Sequence, residues 1–122
     1  MYKRSCLCGA VTFELLSEPK ATSSCHCKMC QKQHGAAFAT YSSLPQSDFR
    51  YLSGQEQLVS YNSSGNIVRK FCGVCGANIE WAGSASHPDW VSVAVAALDT
   101  PFYLSSIKEV HADSKACGLV QG

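Results

Sequence analysis

The chain has 122 residues, the size of one compact domain, so we expect a single domain over residues 1–122. Its 10 Lys and Arg are balanced by 9 Asp and Glu, so no basic face predicts a nucleic-acid partner. There is no apolar run of the roughly 18 residues that a membrane span needs, and no apolar stretch typical of a secretory signal, which together predict a cytoplasmic protein without a membrane partner.

Alternation of apolar and polar residues predicts strands along most of the chain. Turn residues at 62–66 lie between two of these strands and predict a hairpin. The predicted strands, in chain order, are 10–15, 36–41, 49–52, 57–61, 67–71, 77–81, 91–97 and 107–111. The sequence therefore indicates a mainly β fold.

Only residues 28–35 favour a helix, and Gly35 is its predicted C-cap. Trp81 and Trp90 are large apolar residues in or next to predicted strands; they could line a pocket or fill the core, and the core is the favoured position.

Cysteine is the unusual component of the composition, with eight in 122 residues. In a reducing compartment, closely spaced cysteines favour a metal over disulfides. Seven of the eight occur in close groups, which are Cys6 and Cys8, Cys25, Cys27 and Cys30, and Cys72 and Cys75. The sequence therefore predicts metal binding.

Two of these groups predict one closed structural zinc site. Cys6 and Cys8 precede a strand, and Cys72 and Cys75 form a knuckle between two strands, with glycines beside both pairs. Four thiolates complete a tetrahedral shell and leave no place for a substrate. Zinc bound there would join the N-terminal arm to a distant hairpin, so its binding energy would be folding energy.

Cys25, Cys27 and Cys30 predict a second, incomplete zinc site. Three protein ligands with one open position are typical of a catalytic zinc. A zinc that already carries three thiolates suits a thiol better than water, because the soft sulfur binds the metal and loses its proton there. The spacing therefore points towards thiol substrates.

Two other interpretations of this cluster remain open. The site could be structural, with a fourth ligand from His26, His34, His87, His111 or Cys117. Alternatively, the three cysteines could be free and redox-active, which would require lowered thiol pKa values.

The cysteine pattern resembles that of the glutathione-dependent formaldehyde-activating enzyme family, which includes the centromere-protein-V-like proteins. The matching motifs are Cys6-Leu7-Cys8-Gly9, Cys25-His26-Cys27-Lys28-Met29-Cys30, His34-Gly35-Ala36 and Phe71-Cys72-Gly73-Val74-Cys75-Gly76. The resemblance covers most of the chain and is specific for the family rather than for one reaction.

The resemblance implies a tent-like arrangement of stacked antiparallel sheets, stapled by the four-cysteine zinc. It also implies two zinc ions per chain, the second of them labile and held by Cys25, Cys27 and Cys30. The type activity joins glutathione to formaldehyde, formally a carbon–sulfur lyase reaction. His26 and His34 are the candidate catalytic residues, since either could relay a proton.

Competing functions remain open at this stage. The favoured one is a zinc-dependent, lyase-like enzyme that acts on a glutathione or other thiol adduct of a small aldehyde. The others are a zinc-stabilised binding module without catalysis and metal storage or sensing. Lys28, Lys32 and Arg50 are candidate anchors for the carboxylates of glutathione.

Overall fold

The structure is a computed structural model that describes residues 2–98 and 107–116. Within those residues the chain forms ten strands and one α-helix, α1, which spans Lys28–His34. The strands are β1 Tyr2–Ser5, β2 Thr12–Leu15, β3 Ala21–Cys25, β4 Ala39–Pro45, β5 Phe49–Ser53, β6 Leu58–Ser64, β7 Ile67–Cys72, β8 Asn78–Ala82, β9 Trp90–Ala94 and β10 Lys108–Val110. Short 3-10 turns lie at Gln46–Asp48, Gln55–Gln57, Val95–Ala97 and Ala112–Ser114.

The strands form two sheets. The smaller sheet has the order β1-β2-β5, and the larger has the order β10-β3-β4-β9-β8-β7-β6. Every pairing of named strands is antiparallel except that of β10 with β3, which is parallel. Because β3 and β10 are far apart in the chain, no hairpin forces them into an antiparallel pair.

The main hydrophobic core contains side chains from both sheets. Phe13 of β2 is fully buried, and its ring packs against those of Phe49 and Tyr51 at centroid distances of 5.3 and 6.1 Å. The other buried members of this core are Cys6, Val11, Leu15, Leu44, Cys72, Ile79, Val91 and Val93. The prediction of a mainly β fold with stacked sheets is confirmed.

The predicted helix is also confirmed, since α1 ends at Gly35 with a left-handed φ of 59°. The predicted strand 91–97 is shorter than expected, because the chain turns into a 3-10 helix at Val95–Ala97. Strands β1 and β3 were not predicted. The sequence of β3, Ala-Thr-Ser-Ser-Cys, lacks the apolar alternation that marks a strand.

The larger sheet has two different faces. On strands β4 and β9, Leu44 lies opposite Val91, and both are buried in the main core. Tyr41 and Ser43, an odd number of residues from Leu44, belong to the other face of the pleat. There they pair with Ala94 and Ser92, so period-two alternation alone separates the core face from an open face.

Along the part of the chain that the structure describes, no helix has both the length and the apolar character needed to cross a membrane.

We predict that Gly54→Ala destabilises the protein more than Gly65→Ala. Both glycines have positive φ, at 76° and 50°, which costs an alanine about 1 kcal/mol. A Cβ at Gly54 would also collide with the backbone carbonyl of Ala10, whereas a Cβ at Gly65 would meet no atom within 4 Å. We therefore expect a loss of about 3 kcal/mol for Gly54→Ala against about 1 kcal/mol for the control.

Denaturant unfolding of the two variants measures this difference. Equal losses at the two positions would show that the loop containing Gly54 is not packed against the N-terminal arm.

Candidate functional site

Four cysteines from two distant parts of the chain come together at one end of the core. Cys6 and Cys8 lie between β1 and β2, Cys72 ends β7, and Cys75 lies in the turn before β8. Their Sγ atoms all lie within 4.8 Å of one another. Such a set could hold a metal ion, and these are the four residues that the sequence predicted for the structural site.

The two arms that carry these cysteines have the same local turn. The Cys6 N–H donates to the carbonyl of Val11, and the Cys72 N–H donates to the carbonyl of Ala77, each at 3.0 Å. Each arm contains a glycine with nearly the same positive φ, which are Gly9 at 81° and Gly76 at 82°. These left-handed residues reverse the chain tightly and direct backbone N–H groups towards the sulfurs.

The backbone N–H groups favour thiolates in this cluster. The N–H of Val11 donates to Cys6 Sγ at 3.3 Å. Hydrogen bonds from the backbone of Ala77, and then of Cys8, lower the pKa of Cys75 to about 6. The turn therefore stabilises negative charge on sulfur before any metal is considered.

Mutual repulsion limits how many of the four thiols can ionise. Although the N–H of Ala10 lowers the pKa of Cys8, loss of solvation and the neighbouring sulfurs raise it to about 11. Cys8 Sγ lies 3.7 Å from Cys6 Sγ and 3.9 Å from Cys72 Sγ. Like charges at such distances disfavour each other, so four thiolates require a cation between them.

The second set of cysteines lies at the start of α1. Cys25 ends β3, Cys27 is the N-cap of α1, and Cys30 lies buried in its first turn. Their Sγ atoms lie within 4.8 Å of one another, and Cys27 Sγ accepts a hydrogen bond from the Cys30 N–H at 3.4 Å. These three thiols form the second set that could hold a metal ion.

Arg69 of β7 lies against this set. Its Nη1 donates to Cys30 Sγ at 3.6 Å and to Gln33 Oε1 at 3.0 Å, and its Nε donates to Ser63 Oγ at 3.0 Å. Burial raises the pKa of Cys30, while the hydrogen bond and charge of Arg69 act in the opposite direction. Arg69 is only 3% exposed, so its guanidinium is a fixed positive charge beside the thiols rather than a surface charge.

A cavity of about 360 Å³ opens over the three cysteines on the open face of the larger sheet. All three cysteines border it, whereas no member of the four-cysteine set does. The residues that complete its wall are Ser23, Met29, Tyr41, Ser64, Ile67, Arg69, Trp81, Ser92, Val110 and His111.

A second cavity of about 510 Å³ adjoins the first. The two share Ser23, Trp81, Ser92 and Val110 in their walls. Trp90, His87 and Lys108 border only the second one. Both tryptophans thus border a cavity, and Trp81 also packs against the buried cluster that contains Cys30 and Tyr41. Sheet register places Trp81 opposite Ser92, on the open face.

His26 does not border the cavity that contains the cysteines. Its ring is completely buried, with the centroid 5.0 Å from that of Phe38 and Nε2 3.5 Å from Glu109 Oε1. Among the described residues, neither ring nitrogen has a hydrogen-bond partner. A catalytic role for His26 stays a prediction.

His34 lies on the far side of the cavity wall. Its Nε2 is 2.6 Å from the hydroxyl of Tyr41, which does border the cavity. His34 itself borders a separate cavity of about 400 Å³, together with Cys6 and Leu7. Burial, followed by the charge of Arg69, lowers the pKa of His34, so the ring is neutral at pH 7.

The other possible fourth ligands lie at different places. His111 borders the cysteine cavity, with a left-handed φ of 55°, and His87 borders the adjoining cavity. In residues 2–98 and 107–116, no histidine nitrogen joins the three sulfurs within metal-sharing distance. Cys117 lies outside the described residues.

No sequence motif marks Arg69 or Tyr41 as a residue of the cysteine site, although Tyr41 was among four aromatic residues that could supply a binding face. Arg69 was only half of a short basic pair, and Tyr41 was one aromatic residue among several, so neither carried a motif. Of the predicted carboxylate anchors, Arg50 is paired with Glu14 on the smaller sheet, and Lys32 borders a further cavity beside Arg69.

We predict that His26→Leu changes the free energy of unfolding by less than about 1 kcal/mol, because the buried ring nitrogens lose no hydrogen bond. His34→Leu should lower it by about 1.5 kcal/mol, because the buried Tyr41 hydroxyl loses a partner. Denaturant unfolding of the two variants measures both values. A larger loss for His26→Leu than for His34→Leu would contradict the contacts described above.

Comparison with known proteins agrees with this arrangement. The family model described as glutathione-dependent formaldehyde-activating enzyme matches residues 1–114. An uncharacterized lyase of Schizosaccharomyces pombe is 30% identical over 81 residues, which cover 66% of this chain and 57% of that protein. The chain thus spans little more than half the length of this relative.

The fold is also similar to the crystal structure of a Rhodobacter sphaeroides protein, with a TM-score of 0.70 and 28% identity. That likeness covers 88% of this chain and 98% of the other. Because the family model matches nearly the whole sequence, the chain belongs to the glutathione-dependent formaldehyde-activating enzyme family.

Proposed function

We propose that this protein is a zinc-dependent carbon–sulfur lyase that joins a thiol such as glutathione to a small aldehyde and releases it again. The observation that carries this proposal is that all three cysteines of the incomplete set border a cavity. Family membership and the lyase name of the yeast relative point in the same direction.

The four-cysteine set is proposed as a structural zinc site. Cys6, Cys8, Cys72 and Cys75 supply four sulfurs, which complete the coordination shell of zinc. Cys6 and Cys72 are buried beside the main core, so the site joins two chain segments where hydrophobic packing already holds them. Its role is stability rather than chemistry.

Cys25, Cys27 and Cys30 are proposed as the ligands of a second, labile zinc, which would bring the total to two per chain. A zinc held by these residues would supply an open coordination site and would favour the deprotonated form of a bound thiol. The donor set fits, because three soft sulfur ligands lie within 4.8 Å of one another. Because all three cysteines border the cavity, a ligand in the cavity could supply the fourth position.

Arg69 balances the charge of this second site. Three thiolates and one divalent cation leave a net negative charge, and a bound thiolate substrate would add another. The buried guanidinium beside Cys30 offsets part of that charge and is held in position by Gln33 and Ser63. It therefore favours binding of a thiolate over binding of a neutral molecule.

The cavities have room for a peptide-sized thiol. The one that contains the cysteines has a volume of about 360 Å³, and the adjoining cavity adds about 510 Å³ along the same face. Both volumes are in the range of small-molecule sites. Lys108 borders the adjoining cavity and supplies a positive charge for a carboxylate. We place the reaction in the cytoplasm, since a reducing compartment keeps the zinc-binding thiols reduced.

The test compares wild-type protein with Cys27→Ser, both loaded with zinc. NMR measures how fast glutathione and formaldehyde exchange with their adduct. The wild type should accelerate this exchange above the spontaneous rate, and Cys27→Ser should not. Cys27→Ser should bind about one zinc ion per chain instead of about two. It should remain folded, because serine also serves as an N-cap.

Cys72→Ser is the matched variant in the structural set. It should lose the zinc of that set and unfold, because its ligands join two distant segments. Two outcomes would contradict the proposal. Retention of both zinc ions in Cys27→Ser would exclude the three-cysteine site. Thiol binding by the wild type without faster exchange would favour a binding module without catalysis.

A further inference from the structure

Tyr41 is a nearly buried residue in the wall of the cavity that contains the three cysteines. It lies on the open face of β4, its residue is 6% exposed, and it borders the cavity together with the three cysteines. It packs in one cluster with Cys30, on the side of the sheet opposite the main core. A nearly buried hydroxyl that borders a reaction cavity needs a hydrogen-bond partner on the protein side.

His34 is that partner. Its Nε2 lies 2.6 Å from the Tyr41 hydroxyl, and the two rings meet edge to face, with centroids 5.4 Å apart and planes at 88°. His34 borders the 400 Å³ cavity on the other side and not the cavity with the cysteines. Tyr41 therefore contacts the imidazole and also borders the cavity that contains the cysteines.

The tautomer of His34 determines whether the Tyr41 proton is free to point into the cavity. A phenol hydroxyl can both donate and accept a hydrogen bond. When a neutral His34 carries its proton on Nε2, that N–H donates to the phenol oxygen, and the hydroxyl hydrogen is then free to point into the cavity that Tyr41 borders. Burial, followed by the negative charge of Cys30, raises the pKa of Tyr41, so the hydroxyl keeps its proton at neutral pH.

We propose that Tyr41 is a catalytic residue that donates a hydrogen bond to the aldehyde oxygen as that oxygen becomes negative, and that His34 is the positioning residue that aims the Tyr41 hydroxyl. This inference rests on the proposed function. It assigns His34 Nε2 as the protonated nitrogen, and it gives His34 no direct contact with the substrate.

The reaction needs no further reagent. The sulfur electron pair forms the new C–S bond, and the π pair of the carbonyl bond moves onto oxygen. The proton lost by the thiol passes to water, and a proton from water completes the new hydroxyl group. Tyr41 stabilises the negative oxygen between these two events, which is the role of a donor in an oxyanion hole.

The experiment measures adduct formation by zinc-loaded Tyr41→Phe, His34→Leu and His34→Gln proteins. Loss of one oxyanion donor costs about 100-fold in kcat, so we expect that loss for Tyr41→Phe, with KM for the thiol unchanged. His34→Leu should lose about tenfold in kcat, since the hydroxyl remains but is no longer aimed. His34→Gln keeps an N–H donor and should stay within about threefold of the wild type. Tyr61→Phe, at a residue 60% exposed on β6, is the matched control and should be unchanged.

A second measurement separates this role from a structural one. In cobalt-loaded protein, the thiolate-to-metal absorption on addition of glutathione reports thiol binding, and it should be the same for the wild type and Tyr41→Phe. Unimpaired kcat in Tyr41→Phe, or a loss that merely follows lost metal or thiol binding, would overturn this inference alone. A wild-type protein that does not accelerate adduct formation would overturn the proposed function and this inference together.

Discussion

Repulsion between closely spaced thiolates is the constraint on which both sites depend. Four sulfurs within 4.8 Å cannot all carry negative charge unless a cation lies between them, and loss of solvation together with this crowding raises the pKa of Cys8. In the four-cysteine set, a bound metal cation would offset the repulsion between the thiolates. The three-cysteine set has, in addition, a buried guanidinium against Cys30 and an open cavity on its other side. The same chemistry thus gives one closed site and one that is open to a ligand.

The larger sheet connects the two cysteine sets, because Cys25 ends its strand β3 and Cys72 ends its strand β7. One face buries Leu44 and Val91 against the smaller sheet, and the core so formed also includes Cys6 and Cys72. The other face, reached by a one-residue step along each strand, carries the cavity beside α1. The proposed structural zinc would therefore stabilise the same sheet whose open face forms the proposed reaction site.

Local spacing made the cysteine sets and α1 predictable from the sequence, because each depends on residues only a few positions apart. The contact between Arg69 and Cys30 was not predictable, since it depends on strand order and on the packing of α1 over the sheet. Strand β3 was missed because pairing with β4 and β10, rather than its own apolar pattern, makes it a strand. The position of Trp81 likewise depends on register with β9, which no local pattern shows.

The most direct test of two zinc sites with different completeness is X-ray absorption at the zinc edge of the loaded protein, with and without glutathione. The account predicts an average of about 3.5 sulfur ligands per zinc, at about 2.3 Å, with the remainder oxygen or nitrogen. Addition of glutathione should raise the average to about 4 sulfurs, as the open position is filled. Four sulfurs per zinc before any thiol is added, or no change on its addition, would contradict the central claim.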